Sequence, residues 1–130
     1  MEFIKVTKNP EMEAELQRIA HTHGFSPAVL AVNETSITME HVDGCLLADL
    51  YGENPAELPK WYWEQIRYMV RTLYEFEGIE YRDITPYNFI DTEDGLRMID
   101  FGDAKYTDGE PDWFVREFLD GENSWNPDYK

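Results

Sequence analysis

Two short polar stretches, set a fixed distance apart, limit the folds open to this chain more than any other feature. Tyr81-Arg82-Asp83-Ile84-Thr85-Pro86-Tyr87-Asn88 reads as a loop that carries two oxygen-bearing side chains, and Asp100-Phe101-Gly102 follows further on. Between them, Phe89 to Asp91 and Leu96 to Ile99 read as strands around Thr92-Glu93-Asp94-Gly95, a turn whose glycine can take the positive φ that a hairpin needs. A hairpin delivers both strand ends to one edge, so Asp100 is expected beside the loop that holds Asp83 and Asn88. Taken singly, Asp83 and Asn88 are ordinary turn formers and Asp100-Phe101-Gly102 an ordinary strand end. Their combination across a hairpin is what points to chemistry.

The rest of the chain reads as short connections between regular elements, without an internal repeat. Phe3 to Thr7 is a β-branched strand, and Asn9-Pro10 starts a helix, Asn9 as its cap and Pro10 in its first turn. Met12, Leu16, Ile19 and Ala20 recur at helical spacing up to Gly24. Ala28 to Val32 and Ser36 to His41 read as two strands joined at Asn33-Glu34. From Pro59 a long helix carries Tyr62, Ile66, Met69, Val70, Leu73 and Phe76 on one stripe and ends at Gly78. Trp113 to Leu119 forms a last helix, with Phe114, Val115, Phe118 and Leu119 inward and Gly121 as its stop, and Trp125 is expected to pack back.

The 130 residues suffice for one domain, predicted over 1–130. With 27 acidic against 11 basic side chains and a net charge of -16, the surface repels nucleic acid, anionic membranes and free phosphate. A phosphate ligand must arrive with its cation. The same charge has a second reading, a protein that imitates DNA to occupy a nucleic-acid-binding partner. The 42% apolar content is too high for a disordered acidic tail. The lone Cys45 makes no internal disulfide and is expected as packing, and no apolar run is long enough to span a bilayer, which together predict a cytoplasmic protein. His21 and His23, two apart at a helix end, suit the helix dipole better than a metal.

The loop and the Asp100 motif resemble the catalytic loop and metal-binding motif of protein kinases, His-Arg-Asp, four residues, Asn, a hairpin and Asp-Phe-Gly, with Tyr81 in place of the histidine. Glu13-Ala14-Glu15-Leu16 resembles the regulatory helix of atypical kinases of the RIO and ABC1-like kind, whose glutamate pairs with a strand lysine. The resemblance implies a minimal, α+β protein-kinase-like fold: a small antiparallel sheet with a helix as reduced N-lobe (1–41), a hinge (42–44), and a helical, reduced C-lobe (45–130) containing the catalytic-loop hairpin.

The resemblance further implies ATP and Mg2+. Asp83 would act as base or orienter toward the acceptor, and Asn88 and Asp100 would hold magnesium. Lys5 would steady the α and β phosphates with Glu13, or with Glu15 as second choice. The carbonyl of Glu40 and the amide of Val42 would read the adenine edge, with Met39 at the back of the pocket. Only four residues precede Lys5 and 28 follow Gly102, so the glycine-rich strands and late C-lobe helices are expected to be missing and ATP binding to be weak. A protein partner would then complete the truncated lobes. Besides an active phosphotransferase or ATPase, a nucleotide-binding pseudokinase scaffold and an acidic interaction protein on a kinase-derived fold fit the same residues. Such trimming would suit a compact viral genome, placing the protein in the host cytoplasm.

Overall fold

The computed structural model describes residues 2–54, 57–107, 109–111 and 113–120. The chain opens with β1 (Glu2–Val6) and α1 (Pro10–Thr22), then β2 (Val29–Val32) and β3 (Ser36–Glu40). Both β1 and β2 pair antiparallel with β3, giving the order β1-β3-β2. Lys5 lies opposite Ile37 and Phe3 opposite Met39, so these four side chains share one face of the sheet.

Helix α1 packs in two directions. Ala14 joins Ile37 and Met39 in a small core under the sheet, while Leu16 and Ala20 belong to the main core below. Pro10 stands in the first turn as expected, but the Asn9 side chain makes no capping bond. Met12, expected inward, is 39% exposed. The inward positions beside it go to Glu13 and Gln17, which carry their own polar partners: Gln17 donates to the Pro27 carbonyl at 2.9 Å, and Glu13 is paired as described below.

Helix α3 (Lys60–Glu77) buries Tyr62, Trp63, Ile66, Met69, Val70 and Leu73, and ends on Gly78 at φ 65. Phe76 is a correction, since it is 75% exposed. The chain turns at Gly78, and the fully buried Ile79 enters the core where the stripe would have continued. Beneath α3, β4 (Cys45–Leu46), β6 (Phe89–Thr92) and β7 (Gly95–Met98) form a second sheet in the order β4-β6-β7, with α2 (Leu47–Tyr51) following β4. Gly95 sits at φ 112, closing the predicted hairpin. Two short strands, β5 (Ile79–Glu80) and β8 (Lys105–Tyr106), pair on the far side. In α4 (Trp113–Asp120) Val115, Phe118 and Leu119 are buried. The Phe114 side chain, Gly121 and Trp125 lie outside the described residues.

The connection from β3 to β4 depends on Gly44. A Cβ there would stand 2.3 Å from the Asp91 carbonyl oxygen and 2.8 Å from Ile90, so only glycine lets this connection run so close to β6. The fold is α+β, built of small antiparallel sheets and helices, as expected. Among the described residues no helix is long and apolar enough to cross a membrane.

Candidate active site

The segment from Tyr81 to Asn88 is held by bonds within itself. The Asn88 amide bonds the Thr85 carbonyl at 3.0 Å, closing a 3-10 turn over Pro86–Asn88. The Asn88 side chain donates its Nδ2 to the Asp83 carbonyl at 2.8 Å, which turns its Oδ1 away as a free acceptor face. The Ile99 amide then donates to the Asn88 carbonyl at 2.9 Å, locking the end of the hairpin against the loop.

Tyr81 is the second lock. It is fully buried, donates its hydroxyl to the Ile99 carbonyl, and meets Phe101 edge-on at 5.1 Å. Burial first, and then the negative charges of Asp83, Asp100 and Glu13, push its hydroxyl well above the usual phenol range. Carboxylates from the loop, from the residue after β7 and from α1 thus all act on one hydroxyl.

Asp100 follows β7 and has φ 65, the left-handed region, as the one non-glycine residue to do so among those described. Aspartate tolerates this region because its side chain can bond local backbone, and here Oδ1 accepts the Gly102 amide at 3.1 Å. Such conformations persist where surrounding contacts enforce them. The enforcing contact is Lys5, whose Nζ lies 2.8 Å from the same oxygen.

Lys5 also bonds Glu13, which is 3% exposed. Burial alone would lower the Lys5 pKa, but its hydrogen bonds to Asp100 and Glu13 and their charges outweigh it and raise it. At Asp100 burial pushes upward, yet the Lys5 and Gly102 hydrogen bonds and the Lys5 charge hold the carboxyl below its usual range. Gly102 packs against this group: a Cβ there would stand 3.1 Å from Asp100 Oδ1 and 3.8 Å from Lys5 Nζ.

Beside the trio lies a cavity of about 520 Å³, within the range of small-molecule sites. Lys5, Met39, Glu40, Val42, Asn88 and Asp100 all line it. Asp83 does not, although it is half-buried on the same loop. Glu15 is excluded from the trio, since it is exposed and takes a hydrogen bond from Tyr106 at 2.7 Å. Cys45 is a correction: it is exposed on the cavity wall rather than packed, because the two-residue β4 has that side open to the cleft. His21 bonds the Ser26 carbonyl at 2.9 Å, and His23 stands 3.5 Å from Glu77.

Two contributors escaped sequence reasoning. Thr7 donates Oγ1 to Glu13 Oε2 at 2.5 Å, holding the carboxylate oxygen that Lys5, bonded to Oε1, leaves free. Tyr106 ties β8 to α1 through Glu15. In the sequence Thr7 reads only as a β-branched strand residue, and Tyr106 fits no pattern.

A family model described as the RIO domain matches residues 1–120. The chain belongs to the RIO-domain family. No curated protein matches it significantly. The RIO domain is a protein-kinase-like, atypical kinase domain, and the family is one of ATP-binding phosphotransferases that generally use ATP and Mg2+. The residues of this RIO domain fit such ligands. The cavity has the volume for a nucleotide, and the oxygen donors Asp100, held ionised by Lys5, and Asn88, with Oδ1 to spare, both line it. Among the described residues no group of three His, Cys, Asp or Glu side chains gathers tightly enough to hold a metal alone. Magnesium does not require one, since in phosphate-handling sites it takes one or two carboxylates and completes its shell with phosphate and water.

Proposed function

We propose that this RIO domain is a magnesium-dependent phosphotransferase or ATPase that uses the cleft lined by Lys5, Asn88 and Asp100, with Glu13 bonded to Lys5 outside the lining and Asp83 on the same loop as Asn88. The observation that carries the reading is the convergence of Lys5 on Glu13 and Asp100 at the wall of a nucleotide-sized cavity. Lys5 supplies positive charge for the α and β phosphates, and Glu13, seated by Thr7, holds that charge in place. Met39 offers an apolar wall for the adenine, while the Glu40 carbonyl and Val42 amide offer an acceptor and a donor for its edge. Asp100 and Asn88 are the residues that would hold magnesium, which when bound offsets the negative charge on the phosphates. Asp83 orients the attacking hydroxyl or water and takes its proton as the new P–O bond forms and ADP departs.

The test is ADP production by the wild type and by Asp83→Ala. Turnover abolished in the variant, with ATP affinity retained, is the expected result. Equal turnover in both would remove Asp83 from the reaction. A second reading, a pseudokinase that binds nucleotide without transfer, draws on the position of Asp83 off the cavity wall. It predicts nucleotide binding with no ADP formed by either protein.

A further inference from the structure

A second cavity, of about 510 Å³, shares no lining residue with the nucleotide cleft. It lies between α3, the loop after α1 and the β6–β7 turn. Helix α3 contributes Trp61, Glu64 and Tyr68, spaced three and four residues apart and therefore on one face. Trp61 is 50% and Tyr68 65% exposed, so two large rings flank one carboxylate in water.

The rings are braced from behind. Trp61 stacks on Tyr62 at 3.7 Å, and Tyr68 meets Phe25 edge-on at 5.9 Å. Asp94 supplies a second carboxylate from the opposite rim. Neither the Glu64 nor the Asp94 carboxylate has a partner among the described residues, and the cation in the wall, Arg97, bonds the Leu96 carbonyl at 3.0 Å. Exposed, braced aromatic faces with unpaired carboxylates between and across from them form a receptor for a planar cation. A guanidinium can stack on the rings while it donates to Glu64.

We propose that this groove docks an arginine carried on a basic, extended segment of a partner protein. Charge complementarity selects the occupant: the net charge of -16 attracts a basic segment and repels a nucleic acid or an anionic membrane. Arginine is favoured over lysine because its flat, weakly hydrated head group both stacks and forks onto a carboxylate.

The experiment is a fluorescence-anisotropy titration of the full chain with a labelled octapeptide of alternating arginine and leucine, and with its lysine and glutamine counterparts. The arginine peptide is expected to bind best, more weakly with added salt, and about tenfold more weakly to Trp61→Ala and to Glu64→Gln. ATP affinity should be unchanged in both variants. Tyr68→Ala, at the more exposed ring, should give a similar loss and guards against a folding defect in Trp61→Ala. Equal binding by all variants would assign the attraction to the acidic surface at large and overturn the proposal. So would a lysine peptide that binds as tightly, or no binding by the wild type.

Discussion

Lys5 Nζ stands 2.8 Å from Asp100 Oδ1, joining side chains 95 residues apart, while it also bonds the buried Glu13. One ammonium group therefore ties β1 to α1 and to the residue that follows the β6–β7 hairpin. Removing it in Lys5→Met, which keeps much of the apolar stem, leaves Glu13 with Thr7 as its remaining partner. Lys5 and Asp100 are 25% and 37% exposed, so water shares the load. The expected loss is about 2 kcal/mol, below the range for wholly buried pairs, read from urea unfolding.

The pH dependence of that contribution follows from the two shifts. Lys5 is raised, so its stabilisation is complete below the ordinary lysine value and is lost as pH rises through the higher folded one. Asp100 is lowered, so its stabilisation is present above the ordinary aspartate value and is lost as pH falls through the lower folded one. The stability gap between wild type and Asp100→Asn should be full from about pH 5 to about pH 10 and shrink at both extremes. A gap constant down to strong acid would contradict the ion pair.

Gly44→Ala places a methyl group 2.3 Å from the Asp91 carbonyl oxygen, a contact that backbone must move to relieve. A loss of about 1 to 3 kcal/mol is expected in thermal unfolding. Because Val42 lies two residues before it on the cleft wall, ATP affinity should fall as well.

Tyr81→Phe keeps the ring packed on Phe101 and removes the hydroxyl that donates to the Ile99 carbonyl. Destabilisation of about 1 to 2 kcal/mol is expected from an unfolding titration. Restoring a donor in Tyr81→His should recover less, since the smaller ring gives up part of the contact with Phe101.

Tyr106 is pushed up to about 12 by its hydrogen bond to Glu15, then by burial and by the charges of Glu15 and Glu77. Glu15→Gln should lower its titration toward the ordinary phenol value, read from phenolate absorbance. No shift would mean that β8 and α1 are not joined there.

Local patterns in the sequence located most of the elements that position the site. The α3 stripe, the glycine-closed hairpin and the Asp83 to Asn88 spacing are short-range features, and they fall where the elements do. What was not legible depends on neighbours distant in sequence. Helical periodicity put Glu13 and Glu15 alike at the rim of the stripe, and only the arrival of Lys5 and Thr7 above α1 distinguishes the buried one. Cys45 and Phe76 have apolar character but stand where the chain leaves the core, at a two-residue strand and at a helix end. Strands as short as β4, β5 and β8 have no periodicity to read, because their pairing partners define them.

On the proposed function, Asp100 takes part in holding magnesium with a nucleotide in this cleft. Calorimetric titration of ATP, with and without magnesium, into the wild type and Asp100→Ala tests it most directly. Binding that requires magnesium and is lost in the variant, with both proteins folded, is the predicted result. Equal binding by the two proteins, or none by the folded wild type at millimolar ATP, would contradict it.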